Sequence, residues 1–309
     1  MNTKPKIHVG TDSSAKLLSA SNVFVDKRLL IKEFLEESSG EVVLITRPRR
    51  WGKSLNLDML RCCLELEVDE HGVPLPQAQC LNHKLFAGGK VVIGPQTGRR
   101  KQLATLKIAQ QCPELRKDYQ GQYPVISLGL KDVKGGSYEQ IAAGVTKQIA
   151  RRYTKHRYLK QYALSGSSLL EASQKKQLLR YFEGTISQED LEDSLRFLSE
   201  LLYMHFGKSV YVLIDEYDTP INSAYLAFKD NPKAQALEKV LQLFGATFKS
   251  NPYLKQGLIT GILRIAKANL FSEGYGTQAK AHAHVKQLLQ VCLAFCGKQV
   301  ALAYRQVTV

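Results

Sequence analysis

The chain has 309 residues, 44% apolar and 23% charged, which suits one large α/β domain, or one domain plus a small appendage, with a sizeable core. No apolar run approaches the ~18 residues of a membrane-spanning helix, and the first twenty residues lack the apolar stretch of a secretory signal. A formal net charge of +15 says nothing about fold but favours anionic partners: nucleotides, nucleic acid or an acidic membrane surface.

In chain order, the first twenty residues read as a loose polar lead-in. The segment 23–39 has the apolar spacing of an amphipathic helix, through Leu29, Leu30, Phe34 and Leu35, with Asp26 at its start and Gly40 at its stop. EVVLIT (41–46) is a short unbroken apolar run, the pattern of a strand buried on both faces. A basic loop, RPRRWGKS (47–54), follows it, and 55–67 returns to helical spacing. Residues 68–120, punctuated by Pro74, Pro76, Pro95 and Pro113, read as irregular, with GRRK (98–101) as an exposed loop. YPVISLGL (123–130) is a second strand, 137–202 is mostly helical, and KSVYVLIDEYD (208–218) is a third strand that ends in acids. A helix over 238–250 and a fourth strand over 256–262 complete the alternation. Apolar strands separated by helices predict a parallel sheet covered on both faces, with ligands beyond the carboxyl ends of its strands.

Six cysteines, at 62, 63, 80, 112, 292 and 296, form no CxxC and fit reduced thiols in a cytoplasmic compartment. A metal site built from Cys62, Cys63, Cys80, His71 and His83 is the sharper alternative, but the spacing matches none of the usual zinc patterns. His282 and His284 stand two apart, on different faces of a helix, and read as surface residues.

The loop 47–54 resembles the phosphate-binding pattern G-x-x-x-x-G-K-[ST], with Arg47 where the first glycine is expected. A bare G-K-[ST] arises by accident in roughly one chain in seven of this length, so the tripeptide alone decides little. Its place between a buried strand and a helix start decides more. There the backbone N–H groups and the helix dipole favour an anion, and Gly52 lets the backbone come close. Lys53 would reach the β- and γ-phosphates, and the Ser54 hydroxyl would ligate Mg²⁺. Arg47, Arg49 and Arg50 add positive charge; Pro48 fixes the path that a glycine would otherwise take, and Trp51 completes the loop. The plain alternative is a strand–turn–helix junction with a solvated basic turn.

Asp215 and Glu216 close an apolar strand, where a carboxylate is costly unless it meets a cation or hydrogen bonds. In phosphate-loop enzymes the first such acid holds the Mg²⁺ shell, and the second orients or deprotonates the attacking water. Asp218 is a third acid, with Tyr217 and Thr219 as candidate lining residues. At the end of the fourth strand, Thr260 is placed to touch the water or γ-phosphate, and Arg264 to neutralise transition-state charge. A capping threonine and a surface arginine are the plain readings of those two.

These blocks together, VFVDKRLLIKEFLE, VVLITRPRRWGKSLNLDMLRCCLE, YPVISLGLKDVKGGSYEQI, VYVLIDEYDTPINSAY and GLITGILRIAKANLFS, resemble the AAA-ATPase-like proteins, over roughly residues 20–272. Many of those proteins carry a C-terminal nuclease-like domain of PD-(D/E)XK type. The resemblance covers the arginine-rich loop itself, so Arg47 is similar to a family trait. It implies ATP binding and hydrolysis in an additional-strand P-loop fold, a three-layer sandwich with a mainly parallel sheet. It also implies a division into a lead-in (1–20), the ATPase-like domain (21–272) and a helix–strand tail (273–309). The tail, with a helix over 278–295 and a strand over 298–304, is similar to the closing piece of the nuclease-like domain, as a remnant joined to the ATPase by an internal deletion would be; a helix–strand add-on that packs on the ATPase is the plain alternative. Glu273 is the only Asp or Glu after residue 238, so nuclease chemistry has no carboxylates to use.

Two further readings stay open at this level. KQIARRYTKHRYLKQY (147–162) interleaves tyrosines with cations, a pattern for contacting phosphates and stacking on nucleic-acid bases; the plain reading is a solvated helix face with the tyrosines inward. A nucleotide switch that does not hydrolyse is the other. A second copy of the chain is an allowed partner; a membrane is not among the expected ones.

Overall fold

A computed structural model describes residues 10–20, 29–36, 41–93, 99–103, 105–164, 167–227, 243–249 and 251–262. Along the chain these form α1 (Ser14–Ala20), α2 (Leu29–Glu36), β1 (Val42–Thr46), α3 (Lys53–Leu64), α4 (Leu81–Ala87), β2 (Gly89–Ile93) and β3 (Arg99–Leu103). Then follow α5 (Lys107–Gln111), α6 (Pro113–Tyr119), β4 (Val125–Gly129), α7 (Tyr138–Lys155) and a 3₁₀ turn (Arg157–Ala163). The chain continues through α8 (Ala172–Glu183), α9 (Gln188–Phe206), β5 (Val210–Asp215), α10 (Asp218–Ala227), a helical piece at 243–248 and β6 (Leu254–Gly261).

The strands β1, β6, β5 and β4 lie side by side in that order, all parallel. The late strand β6 is therefore inserted between β1, which carries the basic loop, and β5, which carries the acids. Parallel pairing with crossovers buries both faces, and successive side chains of a strand must then feed two cores. In β5, Val210, Val212 and Ile214 enter one hydrophobic cluster while Tyr211 and Leu213 enter the other. Ile259 and Leu258 of β6 divide in the same way. The first cluster is closed by α7, α8, α9 and α10, and the second by α1, α2, α3 and α4. This is an α/β three-layer sandwich of the P-loop kind. At about 1.5–3 kcal/mol for each fully buried large side chain, β5, with five consecutive buried residues, is the costliest strand to disturb.

The helix ends follow from local chemistry. The Ser187 side chain accepts from the Asp190 N–H at 3.1 Å to open α9, and Gly207, left-handed at φ 64°, closes it. In β6, Gly257 makes room for a ring, since a Cβ there would lie 2.5 Å from Phe248 Cε1. Gly257→Ala is expected to cost about 1–3 kcal/mol, seen as a lower denaturation midpoint at constant m-value. An unmoved midpoint would mean that Phe248 shifts aside freely.

Several elements differ from the sequence expectation. The stretch 14–20, expected to be loose, is a helix whose anchors are remote: Ser14 N–H donates to Asp58 Oδ2 at 2.7 Å, and Leu18 is buried. Residues 68–120 are not irregular; they hold α4, α5, α6 and the antiparallel pair β2–β3, and GRRK runs into β3. These pieces are five to seven residues long, too short to show a period. The expected helix over 23–39 is seen as Leu29–Glu36, and that over 238–250 as 243–248, their remaining parts falling largely outside the described residues. The tail elements at 278–295 and 298–304, and His282, His284, Cys292 and Cys296, lie outside the described residues as well. No helix among the described residues is long and apolar enough to cross a membrane.

Candidate nucleotide site

The basic loop leaves the carboxyl end of β1 and is fixed at its root: the Arg47 N–H donates to the Gly261 carbonyl at 3.0 Å. Two residues then take left-handed backbone, Arg50 (φ 67°) and Gly52 (φ 77°). For Gly52 this conformation is easy; for Arg50 it carries strain of order 1 kcal/mol. A Cβ on Gly52 would meet nothing within 4 Å, so the glycine serves the backbone angle and leaves its outer side open. No side chain among the described residues caps α3, and its first turn has no acid. The N–H groups and positive dipole end of a twelve-residue helix are thus available at the loop.

Lys53 folds back over this loop, its Nζ donating to the carbonyls of Arg47 (2.7 Å) and Pro48 (3.0 Å). Burial pushes its pKa below the ordinary lysine value. Asp215, Glu216 and Asp218 oppose that shift, and Arg49 adds to it. One cation from the β1 loop therefore feels three acids from the β5 turn, although β6 separates the two strands. Pro48, Arg49, Arg50 and Trp51 are exposed, and the Arg47 guanidinium lies 5.8 Å from the centroid of the Trp51 ring.

On the acidic side, Asp215 ends β5 half-buried and receives a hydrogen bond from the Thr260 hydroxyl. Glu216 is left-handed (φ 53°), which turns the chain sharply into α10, and its Oε2 accepts from the Thr219 hydroxyl at 3.3 Å. Tyr217 does not line the site: it is fully buried, edge-on to Phe244, and its N–H donates to the Thr260 carbonyl at 3.1 Å. Thr260 is not a solvent-facing cap, being 2% exposed. Arg264 lies outside the described residues.

The donor set suits a hard cation. Ser54, in the first turn of α3, and Asp215, at the end of β5, are half-buried residues that carry hard oxygen donors, and Mg²⁺ is commonly held by one or two such groups plus substrate phosphates. Among the described residues no three His, Cys, Asp or Glu side chains form a metal cage. The cysteine alternative therefore finds no support there, and Cys62 and Cys63 are buried free thiols within α3.

The frame behind the loop is braced by ion pairs. Arg61 and Lys155 both bind the buried Glu65 carboxylate, Arg61 also pairs with Asp58 at 2.7 Å, and Arg152 Nη1 donates to the Ser127 carbonyl at 2.7 Å. In the basic segment, Tyr153 and Tyr158 are buried and the Tyr162 hydroxyl is hydrogen-bonded to His205 at 2.7 Å. The first two rings cannot stack on bases. Lys147, Arg151, Arg157 and Lys160 remain exposed around them.

A family model described as predicted AAA-ATPase matches residues 8–73 and 96–271, most of the chain and every element of the site. Comparison with curated proteins gives no match, and comparison with solved structures gives none.

Proposed function

We propose that this chain, which belongs to the predicted AAA-ATPase family and shares its nucleotide-binding, ATPase-like character, binds ATP at Arg47–Ser54 and hydrolyses it with Mg²⁺. The observation that carries the reading is that the basic loop and the acid meet at the end of β6: the Arg47 N–H donates to the Gly261 carbonyl and the Thr260 hydroxyl to Asp215. ATP as the nucleotide follows from the family. The backbone N–H groups of the loop and of the α3 start hold the phosphates, and Lys53 exchanges its carbonyl partners for phosphate oxygens. Arg47, Arg49 and Arg50 raise the local positive potential, while Pro48 and Trp51 shape the loop. Ser54 and Asp215 are the residues that would hold Mg²⁺, which when bound offsets charge on the phosphates. Glu216 takes the proton of the attacking water, Thr260 orients Asp215, and Arg264 supplies charge to the transferred phosphoryl group. The ATPase unit includes α1, which packs on α3, and runs on to about residue 272.

Phosphate release from ATP tests the reading. Release that needs Mg²⁺ and stops when a chelator is added is the expected result. ATP binding without release would replace hydrolysis by a nucleotide switch, and absence of binding would remove both.

A further inference from the structure

Asp218 is the one acid of the β5 turn that the ATPase reading leaves without a task. It is the first residue of α10 and only 1% exposed. A buried carboxylate is expensive unless hydrogen bonds meet it. One such bond reaches across the sheet: Asp218 Oδ2 accepts from the Ile262 N–H at 2.8 Å.

That bond falls where β6 runs out of ladder. The last registered pair of β1 and β6 is Thr46 with Gly261, so Ile262 lies one residue beyond the paired strand. Three consecutive residues at this exit are each tied to a neighbour. The Thr260 carbonyl accepts from Tyr217 N–H, the Gly261 carbonyl from Arg47 N–H, and the Ile262 N–H is held by Asp218. The packing there leaves little room. A Cβ on Gly261 would lie 2.5 Å from the Tyr217 ring and 2.9 Å from Asp218 Oδ1. The Thr260 hydroxyl, two residues before Ile262, is the group bonded to Asp215.

We infer that Asp218 is a positioning residue: by holding the Ile262 amide it keeps the end of β6 extended and the Thr260 hydroxyl on Asp215. It acts through the backbone and does not touch nucleotide. A carboxylate is needed as a hydrogen-bond acceptor and not as a charge, so an amide oxygen serves in its place.

The kinetic part of the test rests on the ATPase reading; the structural part does not. In the full chain, Asp218→Ala is expected to lower kcat by roughly 10- to 100-fold with KM for ATP within about threefold, as expected for a misplaced group. Asp218→Asn, which keeps an oxygen for the Ile262 N–H, should restore kcat to within about threefold of the wild type. Without nucleotide, amide exchange at residues 260–262 should speed up by at least about tenfold in Asp218→Ala and stay near wild type in Asp218→Asn. If Asp218→Asn is as impaired as Asp218→Ala, the charge matters and the inference is overturned. It is equally overturned if Asp218→Ala leaves exchange at 260–262 unchanged, or if exchange rises across β4 and β5 as well, which is general loosening. Should the wild type show no turnover, the ATPase reading fails and the exchange pattern alone decides the positioning role. Should Asp218→Ala not fold, Gly261→Ala replaces it; crowding of Asp218 should release the same amides, and full protection there would refute the latch.

Discussion

Lys53→Ala is expected to weaken ATP binding by at least about 100-fold while leaving the fold intact. Two charge-assisted hydrogen bonds to phosphate, each worth about 1.5–3 kcal/mol, set this scale, since ~1.4 kcal/mol is a factor of ten. The fold should survive because, among the described residues, the Lys53 ammonium bonds only to carbonyls of its own loop. Trp51, the single tryptophan, sits in that loop 44% exposed, so its emission reports occupancy in both proteins. Lys53→Arg should recover only part of the affinity, because a planar fork does not fit a cradle shaped around a point charge. If Lys53→Ala binds ATP as tightly as the wild type, the nucleotide lies elsewhere.

Glu216 gives the second large effect, and here turnover and stability are expected to part. Glu216→Gln keeps an oxygen for the Thr219 hydroxyl but cannot take a proton. Phosphate release should fall by about 10²–10⁴-fold, the range for a lost general base, with ATP affinity within about threefold. Glu216 also holds left-handed backbone at φ 53°. Glu216→Gly should therefore stabilise the protein by about 1 kcal/mol while turnover is lost. A midpoint that rises as activity vanishes is the pattern of strain kept at a functional position. A Glu216→Gln protein with full turnover would take the residue out of the chemistry.

The parts of the fold that could be read in the sequence were those with a long or unbroken pattern. Val42–Thr46 and Val210–Asp215 are continuous apolar runs, and the loop after the first and the acids after the second mark the carboxyl edge of a parallel sheet. Their spatial order was not legible from pattern alone. That β6 lies between them depends on pairing of residues about 215 apart, Val42 with Gly257, and only the family resemblance implies it. The helix at Ser14–Ala20 was missed because its anchor is Asp58, and the small elements between 81 and 119 because none spans two helical turns. In the site, Lys53, Ser54, Asp215 and Glu216 could be named from residue type and position. The inward turn of Tyr217 and the Asp218–Ile262 bond could not, since both follow from how β6 ends. The Thr-Gly pair at 260–261 was the available signal: a glycine at a strand end often marks a close approach, here by the Tyr217 ring.

The most direct measurement is amide hydrogen exchange across the whole chain with and without Mg²⁺ and ATP. Nucleotide at the cradle should add protection at 47–56 first, with smaller gains at 215–219 and 260–262, and leave 147–162 unchanged. Protection that falls instead on the basic segment 147–162, with 47–56 exchanging as in the free protein, would contradict the assignment of Arg47–Ser54 as the ATP site.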